Sequence, residues 1–147
     1  MKIYMDVCCY NRPFDDLSQD RIYLEAEAIL SIISHCENGD WILLSSGIID
    51  YELSRISNSD RLEKIQALYE NASIRLKLTT EAEERAKYFQ SCGIKPFDSL
   101  HLALAETSNA DVFISTDDKL IRTANRIGTK IKVVNPVTWV MEVTSDE

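Results

Sequence analysis

The chain has 147 residues, of which 45% are hydrophobic and 27% are charged, as in an ordinary soluble globular domain. No apolar run approaches the roughly 20 residues that cross a membrane, and the first residues turn polar too soon for a signal peptide, so we expect a cytoplasmic protein with no membrane contact. The net charge of −8 argues against a broad nucleic-acid-binding surface, although a cluster of acids that holds divalent cations is consistent with it.

The chain length predicts one domain, residues 1–147, with a frayed tail at 144–147. Four cysteines contain no C-x-x-C pair and are accompanied by only two histidines, so we expect buried thiols rather than a zinc site. No repeat, low-complexity segment or linker divides the sequence.

Strands and helices are predicted to alternate along the chain. In chain order the predicted elements are a strand at 2–7, an irregular segment at 8–16, a helix at 19–36, a strand at 41–44, helices at 48–56 and 61–71, a short strand or extended link at 74–78, a helix at 81–91, a very apolar helix at 96–108, a strand at 111–115, a helix at 119–127, a strand at 130–134 and a helical segment at 136–143. Such alternation predicts an α/β fold, with a twisted parallel sheet of four to five strands and helices on both faces.

Several helix starts carry a residue that suits the N-cap position. Ser18 precedes the helix at 19–36, and Ser46 precedes the helix at 48–56. Thr80 and Glu83 have the spacing of a capping box for the helix at 81–91.

Four acids fall at or near the C-terminal edge of the predicted sheet, where parallel sheets bind ligands. Asp6 ends the first strand, and Asp117 follows the strand at 111–115. Asp98 lies in the first turn of the apolar helix that Pro96 opens, and Glu52 lies in the apolar helix after the second strand. Each acid alone suits a cap, a turn or a solvated position, but the joint pattern predicts a carboxylate cluster.

The motifs around these acids resemble those of the PIN-domain ribonucleases, in order and over nearly the whole chain. They are Ile3-Tyr4-Met5-Asp6 followed by Asn11, Tyr51-Glu52-Leu53, Phe97-Asp98-Ser99-Leu100-His101-Leu102-Ala103, and Ser115-Thr116-Asp117. The resemblance implies catalytic roles for Asp6, Glu52, Asp98 and Asp117. Asp118 is the alternative fourth acid, because it has the same offsets from a preceding hydroxyl residue and a following apolar one.

By the same resemblance, Asp6 and Asp98 would hold the principal Mg²⁺ or Mn²⁺, while Glu52 and Asp117 would complete the shell, position a second ion or orient the attacking water. Hard cations take oxygen ligands, which explains why these positions hold carboxylates rather than His or Cys. Such a cation relieves charge on the phosphodiester and lowers the pKa of the attacking water. The family more often has Thr or Ser directly after the first acid, where this chain has Val7.

The resemblance therefore implies a metal-dependent endoribonuclease, with RNA as its substrate. It further implies the toxin of a toxin–antitoxin pair, with a small antitoxin as partner and a homodimer as the common assembly. The substrate-binding candidates are Asn11, Arg12, Ser115 and Thr116.

Other polar groups near the four acids each allow a structural and a functional interpretation. His101 shares a helix face with Asp98, and we interpret it as a packed histidine rather than a ligand. The one basic cluster is either a solvated helix face or an RNA backbone contact, and it consists of Lys119, Arg122, Arg126, Lys130 and Lys132.

Two rival functions are compatible with the same residues. A catalytically silent PIN-like module for protein or RNA binding takes its best support from the net charge of −8. An α/β phosphoryl-transfer domain with Asp6 as nucleophile is disfavoured, because Cys8 replaces a second acid and no lysine lies in the following loop.

Overall fold

The computed structural model describes residues 1–144 and contains a five-stranded parallel sheet. Its strands are Lys2–Met5 (β1), Ile42–Ser46 (β2), Ala72–Leu76 (β3), Val112–Ile114 (β4) and Lys132–Val134 (β5). Their spatial order is β3-β2-β1-β4-β5, and every neighbouring pair is parallel. β1 lies at the centre, and its residues Ile3, Tyr4 and Met5 are fully buried. A central strand covered on both faces is expected to read as an apolar run.

Helices cover both faces of this sheet, and the predicted α/β architecture is confirmed. Within residues 1–144 the helices are Val7–Asn11 (α1), Asp20–Glu37 (α2), Gly47–Ser54 (α3), Ser59–Tyr69 (α4), Thr80–Ser91 (α5), Pro96–Thr107 (α6), Asp118–Ile127 (α7) and Pro136–Thr144 (α8), with a 3-10 turn at Arg12–Phe14. In this part of the chain no helix has both the length and the apolarity that a membrane crossing requires. Thr144 ends α8, and the rest of the predicted frayed tail, 145–147, lies outside the described residues.

The strand order places a crevice between the C-terminal ends of β1 and β4. From β1 the chain moves outward through β2 to β3, then crosses to the other side of β1 to form β4 and β5. The connections that leave β1 and β4 therefore run in opposite directions, which is the arrangement that opens a ligand-binding crevice in a parallel sheet. The Asp6 amide donates to the Ile114 carbonyl at 2.9 Å, so Asp6 lies directly at this crevice.

Helix α6 supplies a rigid wall next to that crevice. Pro96 occupies its first turn, where a missing N–H has no partner to lose. Leu102, Ala103 and Ala105 are fully buried, so the helix is surrounded by core on most sides, as its sequence predicts. Asp98 is thereby held on an element that has little freedom to move.

Three local predictions were wrong. The segment after the first strand is not irregular, because α1 begins at Val7, where the Asp6 side chain caps it. Ser18 does not cap α2: Gln19 holds the N-cap position, and the Ser18 hydroxyl donates to Asp16 Oδ1 at 2.7 Å. These polar residues satisfy nearer partners than the predicted ones.

The third wrong prediction concerns the start of α5. Thr79, not Thr80, is the N-cap, and its Oγ1 accepts from the Ala82 amide at 3.1 Å. The predicted capping box with Glu83 is therefore out of register by one residue. By contrast, the predicted Ser46 cap of α3 is confirmed, since Ser46 Oγ accepts from the Ile49 amide at 3.1 Å.

Candidate active site

Four acids from four different elements line one cleft of about 530 Å³ at the C-terminal edge of the sheet. Asp6 follows β1, Glu52 lies in α3, Asp98 lies in the first turn of α6, and Asp117 caps α7. The rest of the cleft is lined by Val7, Cys8, Lys95, Pro96 and Phe97. A smaller cavity of about 130 Å³ shares Lys95, Asp98 and Asp117 with it and adds Lys119.

Asp6 is buried and fixed in orientation by two hydrogen bonds. Its Oδ1 accepts from the Val7 amide at 2.8 Å, and its Oδ2 accepts from Ser115 Oγ at 3.0 Å. The same Ser115 oxygen accepts from the Asp117 amide at 3.1 Å, so one hydroxyl links the first acid to the backbone of the fourth. Ser115 thus supplies the hydroxyl contact that the residue after Asp6 does not offer, since that residue is Val7.

Glu52 is held by a buried chain of polar groups. His101 Nε2 contacts Glu52 Oε1, and its other nitrogen, Nδ1, lies 2.6 Å from the Tyr4 hydroxyl. That hydroxyl lies 2.9 Å from Ser46 Oγ. With a neutral imidazole the donors run in one direction: Ser46 donates to Tyr4, Tyr4 donates to Nδ1, and Nε2–H donates to the carboxylate. His101 is fully buried, in agreement with its interpretation as a packed histidine.

Asp117 and Asp98 differ in how their carboxylates are used. Asp117 Oδ1 accepts from the Lys119 and Leu120 amides at 3.0 and 3.2 Å, which fixes the side chain at the N-terminus of α7. No residue between 1 and 144 gives Asp98 a hydrogen bond or an ion pair. Asp98 therefore keeps both carboxylate oxygens available to a ligand in the cleft.

The electrostatics of the cleft disfavour the ionised forms of two of its acids, Asp98 and Asp6. Burial raises the pKa of Asp98 above its usual value, and the neighbouring charges of Asp117 and Glu52 raise it further. Burial also raises the pKa of Asp6 well above its usual value, with an additional contribution from Asp98. Carboxylates that repel one another in this way are stabilised by any cation that enters between them.

The donor set fits a hard divalent cation by chemistry, because it consists of four carboxylates that line one cleft. Among residues 1–144, no three His, Cys, Asp or Glu side chains are already grouped closely enough to form a complete metal site. The residues that would hold a cation are the four acids of the cleft, because their carboxylate oxygens are negatively charged ligands of the kind that such a cation prefers.

Asp118, the alternative fourth acid, is engaged elsewhere. Arg21 donates to both of its carboxylate oxygens at 2.7 and 2.8 Å, and the residue does not line the cleft. Asp117 and Asp118 are adjacent in sequence, yet α7 begins between them, so their side chains leave the backbone in different directions.

Of the predicted substrate-binding residues, only Ser115 contacts one of the four acids through its side chain. Asn11 accepts from Arg61 Nε at 3.0 Å, and Arg12 forms ion pairs with Asp15 and Glu25 at 3.2 and 3.1 Å. Thr116 is buried, with its amide 3.4 Å from Cys8 Sγ.

Sequence reasoning missed two residues that line the cleft, Lys95 and Phe97. The available signal was their position on either side of Pro96, next to Asp98 in the same motif. Lys119, from the predicted basic cluster, lines the smaller cavity, whereas Lys132 of that cluster pairs with Glu142.

The sequence matches the family model of the PIN domain over residues 14–126, which is most of the chain. The protein therefore belongs to the PIN domain family, whose members are generally nucleases. The match includes Glu52, Asp98 and Asp117 and begins after Asp6. No curated protein matches the chain significantly.

Three solved structures share this fold. PAE2754 from Pyrobaculum aerophilum has a TM-score of 0.59 at 14% identity, over 100% of this chain and 91% of that chain. VapBC2 from Rickettsia felis, bound to a DNA fragment from its promoter, has a TM-score of 0.57 at 14% identity, over 92% and 98%. VapBC-1 from nontypeable Haemophilus influenzae has a TM-score of 0.58 at 16% identity, over 92% and 98%.

Proposed function

We propose that this protein is a metal-dependent endoribonuclease that hydrolyses RNA phosphodiester bonds with Mg²⁺ or Mn²⁺. The observation that carries the proposal is the convergence of Asp6, Glu52, Asp98 and Asp117, from four separate elements, on one cleft at the crevice of the sheet. Membership of a family of nucleases supports it. The absence of a hydrogen bond or an ion pair to the Asp98 carboxylate within residues 1–144 supports it as well.

Each acid has a role that follows from its surroundings. Asp6 and Asp98 would hold the principal cation, and Glu52 and Asp117 would complete the shell or orient the attacking water. A divalent cation bound there supplies Lewis-acid activation of the phosphodiester and of that water. Ser115 fixes the rotamer of Asp6, and His101 fixes that of Glu52. Lys95 places a positive charge beside the acids, where it would attract a phosphate.

For its biological setting, we propose the toxin of a toxin–antitoxin pair. Two of the similar structures are VapBC assemblies, one of them bound to promoter DNA. The proposal includes a small antitoxin as partner, a homodimer as assembly, a single domain over residues 1–147, and a cytoplasmic location. Co-purification of this protein with the product of a neighbouring small reading frame would test the partner directly.

The test of catalysis is cleavage of labelled RNA with Mg²⁺ or Mn²⁺, compared with the same reaction in chelator. Asp98→Asn is expected to lower the rate at least about 100-fold, the size of effect seen when one electrostatic group is lost from an active site. Asp60→Asn is the matched control, because Asp60 also lies in the first turn of a helix but is exposed and does not line the cleft. Cleavage that persists in chelator, or that is equal in both variants, would contradict the proposal.

The fourth acid is assigned by a second pair of variants. We propose Asp117 for this role, since it lines the cleft while Asp118 pairs with Arg21. Asp117→Asn is expected to reduce cleavage strongly and Asp118→Asn to leave it near the wild-type rate. The reverse result would transfer the role to Asp118.

The silent PIN-like module is the second candidate, and the net charge of −8 favours it. It predicts partner or RNA binding that Asp98→Asn does not alter, without cleavage by the wild type at any divalent cation concentration. The cleavage assay therefore separates the two candidates.

A further inference from the structure

Two aromatic rings stand together at the rim of the acidic cleft. Tyr51 of α3 and Phe97 of α6 have ring centroids 5.5 Å apart and planes inclined by 26°, so the rings are stacked. Each directly precedes a cleft acid in the sequence, Glu52 in one case and Asp98 in the other. Phe97 also lines the cleft itself. Two helices that meet at the site thus contribute one acid and one ring each.

Both rings are exposed to a degree that the fold does not require. Tyr51 is 47% exposed and Phe97 is 43% exposed, while Tyr4, Tyr10 and Phe113 are fully buried in the core. Covering exposed apolar surface is favourable, so the pair gains free energy from any planar partner that stacks on it.

Positive charge flanks the rings and the acids. The Arg55 guanidinium carbon lies 5.7 Å from the centroid of the Tyr51 ring, and Arg55 Nη1 donates to the Tyr51 hydroxyl at 2.9 Å. Lys95 lines both cavities and Lys119 lines the smaller one. The cleft and its rim therefore combine aromatic rings, acids and lysines.

We propose that the Tyr51–Phe97 pair is a base-stacking subsite, which holds one unpaired nucleotide of the substrate beside the bond that the acids act on. Aromatic side chains next to a charged track are the usual means of holding single-stranded nucleic acid, and the flanking lysines suit the phosphates. A base inside a duplex is already stacked on its neighbours, so the subsite accepts a base only from an unpaired segment. The inference rests on the proposed nuclease function for the position of the scissile bond.

The test measures binding without cleavage, in the Asp98→Asn background with chelator present. The probe is a short single-stranded RNA that carries one fluorescent purine analogue, and the readouts are anisotropy and the fluorescence quenching that stacking produces. Phe97→Ala is expected to raise Kd about 5- to 150-fold and to reduce the quenching, as for the loss of one stacked base. Phe97→Leu keeps an apolar side chain without a ring and should lose nearly as much, while Phe97→Trp should bind like the parent.

Tyr88→Ala is the matched control. Tyr88 is also 47% exposed and also lies against an arginine, with the Arg85 guanidinium carbon 4.9 Å from its ring centroid, but it does not line the cleft. Its removal should change Kd less than about twofold, below the smallest loss expected for one stacked base. A duplex RNA of the same sequence should bind weakly and equally to all variants.

An unchanged Kd in Phe97→Ala and Phe97→Leu would overturn the subsite. Equal losses for duplex and single strand would overturn it too, and so would a change of oligomeric state in sedimentation, which would assign the rings to a contact between copies. If the wild type cleaves RNA but the Phe97 variants bind normally, the subsite fails and the nuclease function stands. If no metal supports cleavage while binding depends on Phe97, the nuclease function fails and the subsite stands.

Discussion

Four buried or half-buried acids of this protein fall into two groups with different surroundings. Glu25 is 1% exposed and forms ion pairs with Arg12 and Arg21. Glu106 is 5% exposed and forms an ion pair with Arg85. Asp6 is buried to a similar degree, 6% exposed, but its hydrogen bonds come from a hydroxyl and a backbone amide. Asp98, in the same cleft, has neither a hydrogen bond nor an ion pair within residues 1–144.

The difference separates acids that pair with an arginine from acids that have no arginine partner. A buried carboxylate loses its hydration, and an arginine partner restores most of that loss. The cleft acids lack this compensation, which raises the pKa of both Asp6 and Asp98 above the usual range. Uncompensated charge in a cleft is a cost in stability that a fold keeps when function requires it.

Removing a compensating arginine should have the largest effect on stability. Arg85→Ala leaves the Glu106 side chain, 2% exposed, with only the Lys130 amide at 2.9 Å. We expect the free energy of unfolding to fall by about 3 kcal/mol in chemical denaturation. Arg75→Ala, which removes an exposed partner of Asp50, should change it by less than about 1 kcal/mol. Adding Glu106→Gln to Arg85→Ala should recover part of the loss, and no recovery would count against the charge argument.

Supplying a cation to the cleft should raise the stability of the protein instead of lowering it. Mn²⁺ at 100 times its Kd is expected to stabilise the wild type by about 2.7 kcal/mol, measured as a rise in thermal midpoint relative to chelator. Asp98→Asn should lose this response and, in chelator, should be at least as stable as the wild type, because it removes an uncompensated charge. An equal rise in both proteins would place the cation outside the cleft.

Removing the histidine that contacts Glu52 should give a smaller effect. His101→Gln breaks the contact with Glu52 and is expected to lower kcat about 10- to 100-fold with little change in KM. Tyr4→Phe removes the next hydroxyl in the chain but keeps the ring stacked on Phe113, with centroids 5.5 Å apart, so its effect should be milder. A larger loss in Tyr4→Phe than in His101→Gln would contradict this order of contacts.

The smallest effect is expected for the hydrogen bond between Tyr69 and Asp50, an acid that belongs to neither group. The Tyr69 hydroxyl donates to Asp50 Oδ1 at 2.8 Å, and burial is the main cause that raises the Tyr69 pKa to about 12. Because the folded-state pKa exceeds the unfolded value of about 10, the protonated hydroxyl stabilises the fold fully below pH ~10 and loses this contribution as the pH rises towards 12. The free energy of unfolding should fall between pH ~10 and ~12 in the wild type. In Tyr69→Phe this fall should be smaller by about 1 kcal/mol.

Much of the fold was predictable because its signals are local. Alternating apolar strands and amphipathic helices predicted the parallel sheet, and Gly128, with a φ of +76°, ends α7 where its sequence position indicated. The short helix α1 was missed because Asn11 and Pro13 are typical loop residues, while its cap, Asp6, was interpreted as the end of a strand.

The site was predictable only in outline. The order of strands and acids predicted that Asp6, Asp98 and Asp117 would approach one edge of the sheet, since strand ends define that edge. The contact between Ser115 and Asp6 joins residues 109 positions apart and depends on which way each side chain leaves its strand. The exposure of Phe97 toward the cleft depends likewise on the rotation of α6 about its own axis, and no local sequence pattern predicts that rotation.

β1 is synthesised before the other four strands of the sheet, yet it lies in the middle of the folded sheet. Its neighbour β4 begins about 110 residues later, which at ribosomal speed is a delay on the order of ten seconds. During that interval one edge of β1 has no partner, and Asp6 lacks both the Ile114 carbonyl and the Ser115 hydroxyl. An emerging chain therefore carries its acids apart, and the cleft can form only after β4, Ser115 and Asp117 have been synthesised.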